Sequence, residues 1–156
     1  QGIGTVFFMM SEENVAMQLG PSWMKFGTDA SGLDPTSSGG LAHPRAYGTF
    51  ARVLGKYVRE ERAISLEDAV RKMSSAVATR LRIRERGQLR AGFYADVVVF
   101  DPSAVSDHAT YERPHQLSSG VQHVFVNGQA VVADGVHTGA LAGRPLRGPG
   151  WTGWTR

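Results

Sequence analysis

Thr28-Asp29-Ala30-Ser31-Gly32 is an abrupt polar step after the apolar run Trp23-Met24-Lys25-Phe26-Gly27. Where a buried strand of a parallel α/β fold ends, the chain displays the side chains that do chemistry. A carboxylate there, Asp29, has the right type to take a proton from an attacking water and return it to a leaving group. The same residues taken alone also describe an Asp that bonds backbone N–H groups at a turn or helix N-cap. Farther along, His43-Pro44-Arg45 offers a guanidinium that can grip a substrate carboxylate in a two-pronged fork. Pro at a first helical turn explains that tripeptide equally well as a helix opening.

Other chemically suggestive residues carry less. The five histidines, His43, His108, His115, His123 and His137, are scattered and show no ligand spacing. The last four read as surface or loop residues. Gly32, Gly39 and Gly40 lack the spacing and the following Lys-Ser or Lys-Thr of a phosphate cradle. Asp96, entering a strand, reads as a turn or sheet-edge residue. Arg80, Arg82, Arg84, Arg86 and Arg90 read as a solvated helix end, because neither stacking aromatics nor a recognisable nucleic-acid module accompanies them. No nucleic-acid partner is expected.

The elements that must position these residues change character along the chain. Thr5 to Met10 and Trp23 to Gly27 are short apolar runs with a brief helix between them, capped by Ser11 and stopped by Gly20-Pro21. Strand, helix, strand is a parallel crossover. Leu33 to Arg45 is loop, rich in Gly, Ser and Pro, of the kind that forms lids and binding loops. Ala46, Phe50, Val53, Leu54, Tyr57 and Val58 then make one apolar stripe opposite Arg52, Lys56 and Arg59. Ser65-Leu66-Glu67-Asp68 has capping-box spacing and opens another helix, whose stripe runs through Leu66, Ala69, Val70, Met73, Val77 and Leu81.

Beyond Arg86-Gly87 the period becomes that of strands. Ala95 to Phe100 is β-branched and ends at Asp101-Pro102. Val121 to Val126 and Ala130 to Ala133 are joined through Asn127-Gly128, a strong hairpin signal, and Asp134-Gly135 marks another turn. The tail from Gly143 to Arg156 reads as irregular. The chain therefore divides into a parallel α/β part, 1–86, and an antiparallel β part, 87–156. Two parallel strands cannot close a barrel, so the first part needs strands from elsewhere.

The 156 residues, 42% of them hydrophobic, suffice for one core. The opening Gln1-Gly2-Ile3-Gly4, without an initiator Met, reads as part of something longer. Lack of cysteine excludes disulfides and thiolate metal ligands within this stretch and fits a reducing compartment, so a cytoplasmic location is expected. No apolar run approaches the roughly 18 to 20 residues that cross a bilayer, and no membrane partner is expected.

Gly87-Gln88-Leu89-Arg90-Ala91-Gly92-Phe93-Tyr94-Ala95-Asp96-Val97-Val98-Val99-Phe100-Asp101 resembles the segment with which amidohydrolase-superfamily enzymes leave their barrel for a small β-domain. Val124-Phe125-Val126-Asn127-Gly128 is similar to closing strands of that domain. Gly27-Thr28-Asp29-Ala30-Ser31-Gly32, His43-Pro44-Arg45, Gly48-Thr49-Phe50 and Leu54-Gly55-Lys56-Tyr57-Val58-Arg59-Glu60 are similar to the D-aminoacylase group. The resemblance implies an α/β fold: the last two β/α units of a metal-dependent hydrolase TIM barrel, with Thr5 to Met10 and Trp23 to Gly27 as strands seven and eight, plus the C-terminal part of a small antiparallel β-domain.

It also implies a function, deacylation of N-acyl-D-amino acids to a carboxylate and a free D-amino acid, with zinc as cofactor and a small N-acyl amino acid as substrate. Asp29 would be the catalytic residue, matching the family Asp beside the metal-activated water. His43 and Arg45 are candidates for binding substrate. Zinc ligands would lie mostly upstream of Gln1, in the N-terminal remainder of the same protein, and the sequence leaves open whether Asp29 also touches the metal. Two alternatives stand beside this reading. One is a cyclic-amide hydrolase of the dihydroorotase or hydantoinase type; the other is a fragment inactive alone, acting as a structural module.

Overall fold

The structure, a computed structural model, describes residues 5, 7, 9–32 and 42–152. Two of its helices begin at serines whose side chains cap them. Ser11 Oγ accepts the Asn14 N–H at 3.2 Å to open α1 (Glu12–Leu19), which ends at Gly20. Helix α2 (Arg45–Arg52) starts after Pro44 and runs directly into a π-helical segment (Val53–Glu60). Ser65 Oγ accepts from the Asp68 N–H at 3.2 Å and caps α3 (Leu66–Met73). These caps satisfy N–H groups that a helix start leaves without partners.

Two features depart from the helical periodicity. The stripe from Ala46 to Val58 predicts one α-helix, yet from Val53 the ladder widens, with Glu61 N–H donating to Lys56 O at 2.8 Å. The widened turn is anchored from outside: Arg59 Nη1 donates to Val105 O at 2.6 Å and to Pro102 O at 3.3 Å. The second helix breaks at Ser74 (φ −128°, ψ −86°), so α3 is followed by a separate α4 (Ser75–Leu81). Ser74 Oγ bonds back to Val70 O at 2.6 Å, the local competition with the helix ladder that Ser offers.

The helical core joins Leu19 of α1, Val53 and Tyr57 of the π segment, Ile64, and Ala69 of α3, with Val15, Phe26, Leu54 and Met73 packed around them. A polar lock sits at its edge. Glu12 accepts from Lys56 Nζ at 2.5 Å, from the Tyr57 hydroxyl at 2.9 Å and from Arg52 Nη2 at 3.5 Å, tying α1 to the π segment. The Lys56 hydrogen bond, then that of Tyr57, holds the Glu12 carboxyl below its ordinary range.

Strands β1 (Val97–Phe100), β2 (Val121–Val126), β3 (Gln129–Ala133) and β4 (Val136–His137) form one antiparallel sheet in chain order. The β2–β3 hairpin turns at Asn127 (φ 52°) and Gly128 (φ 81°), both left-handed, as a two-residue type I′ turn requires. Asp134 (φ 51°) and Gly135 (φ 77°) repeat the device before β4. A bulge between Val124 and Phe125 shifts the β2–β3 register, and another shifts β1–β2 between Val99 and Phe100.

The two parallel strands expected before Thr28 are not formed among the described residues. Of the first run, residues 5, 7, 9 and 10 are described and none is in a strand; residues 22–30 contain no strand either. A strand exists only through a ladder with a neighbour. The 24–27 stretch has instead a single backbone bond to α3, Phe26 N–H to Lys72 O at 3.3 Å. The loop expected from Leu33 lies outside the described residues as far as residue 41. From Gly143 to Thr152 the tail has no regular element, as expected.

Candidate active site

Asp29 sits on left-handed backbone (φ 47°), a conformation that a short polar side chain tolerates better than most. Its carboxylate is 88% exposed and lies 3.1 Å from Arg45 Nη2. Thr28 Oγ1 accepts the Ala30 N–H at 3.3 Å and closes a small turn around Asp29. Arg45 is the first residue of α2, so its guanidinium springs from a helix start and reaches back over the 28–30 turn.

His43 forms the flank of Arg45. Its Nδ1 accepts the Arg45 N–H at 3.1 Å, and its ring meets Tyr111 edge-on with centroids 5.2 Å apart. The Tyr111 hydroxyl is 3.5 Å from His43 Nε2. Burial, then the nearby Arg45 charge, pushes the His43 pKa below its ordinary value. A neutral imidazole accepting at Nδ1 is what that environment favours. The three candidate residues are thus brought together, though Arg45 faces Asp29 where a substrate anion was expected.

Thr28 and Arg45 also line a cavity of about 960 Å³ with Phe50, Leu54, Met73 and Val98, between α2, α3 and the sheet. Its walls are mostly apolar, and Asp29 is not among them. Among the described residues no three His, Cys, Asp or Glu side chains converge. Asp29 offers a single carboxylate.

The remaining histidines and Asp96 make local contacts. His108 Nε2 pairs with Ser119 Oγ at 2.8 Å, and His137 Nδ1 accepts the Gly139 N–H at 3.0 Å. His115 stacks on Tyr47 with centroids 5.4 Å apart, and His123 lies within β2, its Nδ1 accepting the Asp134 N–H at 3.3 Å. Asp96 does serve a turn, its Oδ1 accepting the Asn127 N–H at 2.8 Å. Arg86 departs from the solvated-helix-end reading. Its side chain is 11% exposed, lies over the Tyr94 ring and bonds both Asp96 and Asn127. Tyr111 and Lys72 gave no signal in sequence, since a lone Tyr in a polar loop and a Lys on a helix are common surface residues.

The amidohydrolase family profile matches residues 24–132, a span that holds Asp29, His43, Arg45 and most of the sheet. A D-aminoacylase from Alcaligenes xylosoxydans xylosoxydans is 43% identical over 146 residues, covering 94% of this chain and 29% of that protein. A solved D-aminoacylase, studied for its binuclear metal centre, matches with a TM-score of 0.79 at 46% identity, over 88% of this chain and 28% of its own. N-acyl-D-glutamate deacylase from Bordetella bronchiseptica, complexed with zinc and a phosphonate mimic of the tetrahedral intermediate, matches with a TM-score of 0.58 at 48% identity. That match covers 61% of this chain and 21% of the deacylase. The chain spans less than a third of the length of each of these relatives.

Proposed function

The chain belongs to the amidohydrolase family, in its D-aminoacylase group, and from that membership we propose that it supplies the proton-handling carboxylate of an N-acyl-D-amino-acid deacylase. The observation that carries this reading is Asp29, an exposed carboxylate on left-handed backbone, 3.1 Å from a guanidinium, inside the family-matched span. In the whole protein the Asp29 carboxylate takes a proton from water as the water oxygen bonds to the amide carbon. It then delivers that proton to the leaving nitrogen as the C–N bond breaks, releasing a carboxylate and the free D-amino acid. Arg45 is freed from Asp29 when a substrate carboxylate takes its place, and His43 holds the Arg45 backbone while this happens.

We assign zinc as the cofactor, on the strength of the zinc-bound deacylase relative. Bound zinc would polarise the carbonyl and acidify water. No three such donors converge among the described residues, and on this reading its donors come mostly from the rest of the protein. The same remainder covers the apolar cavity walls and supplies neighbours for the 23–27 run, which makes 1–86 the end of a barrel and 87–156 part of a β-domain. On this reading the isolated chain is inactive. The matched relatives cleave linear amides, and no observation here favours a cyclic-amide substrate.

The test is Asp29→Ala in the full-length protein, assayed on N-acetyl-D-amino acids with zinc content measured in parallel. Turnover should vanish while most zinc is kept. A variant that remains active refutes the assignment.

A further inference from the structure

Lys72 is the only charged residue buried among the described residues, with no exposed surface at all. Burying an ammonium is expensive unless each of its protons finds an acceptor. Here three acceptors are present: Nζ donates to Leu19 O, donates to Gly20 O at 3.1 Å, and lies 2.7 Å from Asp68 Oδ2. An apolar residue of similar volume would fill the site without that cost, so stability alone is a poor account of a lysine there. What the lysine adds is direction.

Its bonds fall on the chain that leads to Asp29. Side-chain bonds from Lys72 fix Leu19 and Gly20 at the end of α1, and its own carbonyl accepts the Phe26 N–H at 3.3 Å. Between these points Arg71 Nη2 donates to Ser22 O at 2.9 Å. Asp68 joins the two cations, accepting from Arg71 at 2.7 and 3.0 Å on one oxygen and facing Lys72 with the other. Among the described residues these bonds from α3 are what hold residues 20–27, and strands of the whole protein would add to that hold.

We infer that Lys72, with Asp68 and Arg71, is a positioning set for Asp29: it fixes from α3 the segment whose next residues are Thr28 and Asp29. The inference rests on the catalytic reading of Asp29. Misplacing a catalytic group by about 1 Å can cost up to about a hundredfold in rate.

The experiment uses the full-length, zinc-loaded enzyme and compares Lys72→Met, Asp68→Asn and Asp68→Glu with wild type and with Asp29→Ala, well below each melting temperature. Lys72→Met and Asp68→Asn should lower kcat by about tenfold or more, with KM within about twofold and zinc content unchanged. Asp68→Glu, which keeps the carboxylate, should recover most of the rate. If Lys72→Met does not fold, the partly exposed Asp68 site carries the test. Folded variants that lose melting temperature but keep wild-type kcat would overturn the positioning role. Activity in Asp29→Ala would instead sink the catalytic reading beneath it, so the two failures are distinguishable.

Discussion

Arg45 Nη2 lies 3.1 Å from Asp29 Oδ2, joining a helix start to the turn that carries the candidate carboxylate. With side chains 45% and 88% exposed, the pair contributes little to folding; exposed ion pairs give about 0–1 kcal/mol. Arg45→Ala in the full-length enzyme should therefore leave the melting temperature nearly unchanged. On the proposed deacylase reading, KM for the N-acyl amino acid should rise by about 10- to 100-fold, the loss of one charged hydrogen-bonding contact. A normal KM would remove Arg45 from the substrate site.

His43 gives a pH signature. Its folded pKa lies below the ordinary imidazole value, first through burial and then through Arg45. Between the depressed folded value and the ordinary one of about 6.5, the unfolded chain binds the extra proton, so stability rises with pH there. The contribution is complete above about 6.5 and is lost as pH falls through the folded value. His43→Gln should flatten that part of the stability profile. An NMR titration placing the His43 pKa at or above its ordinary value would contradict the environment described.

Gly48 sits inside α2, where alanine would normally be the better helix former. A Cβ there would fall 2.0 Å from Asp107 Oδ1 and 2.3 Å from Asp107 Cγ. Asp107 cannot simply swing away, because its side chain is 8% exposed and its Oδ1 accepts the Ala109 N–H at 2.8 Å. Gly48→Ala should destabilise by about 1–3 kcal/mol, the usual range for overpacking. A melting temperature equal to or above wild type would show that Asp107 yields freely.

What the sequence disclosed depended on how local each signal was. Ser11, Ser65, Asn127-Gly128 and Asp134-Gly135 act through their own backbone neighbours, and each cap or turn stands where its residue types placed it. The strands expected at Thr5 to Met10 and Trp23 to Gly27 depend on partners elsewhere, which apolar composition does not provide. The π segment was hidden for a related reason. Its widened ladder is held by Arg59 reaching Val105, a contact between residues far apart in sequence. At the candidate site, residue type singled out Asp29, His43 and Arg45, while the pairing of Arg45 with Asp29 needed coordinates. Tyr111 and Lys72 were illegible because only burial and neighbours distinguish them from ordinary surface residues.

Arg86 offers a test of the join between the helical part and the sheet. It leaves the turn after α4, and its guanidinium bonds Asp96 beside β1 and Asn127 in the β2–β3 turn while stacking on Tyr94. Asn127 in turn donates through Nδ2 to Ala142 O at 2.6 Å, carrying the link into the tail. Removing one partner of a buried ion pair typically costs about 3–5 kcal/mol, because the other charge is left unpaired. Asp96 is 31% exposed and water can reach it, so Arg86→Ala should cost less, about 2–3 kcal/mol. Urea unfolding of the full-length protein measures this directly. Arg86→Lys should recover only part of the loss, since one ammonium cannot span Asp96 and Asn127 with the fork geometry of a guanidinium. A full recovery would mean that charge alone, and not the two-point fork, holds the hairpin to the helical part.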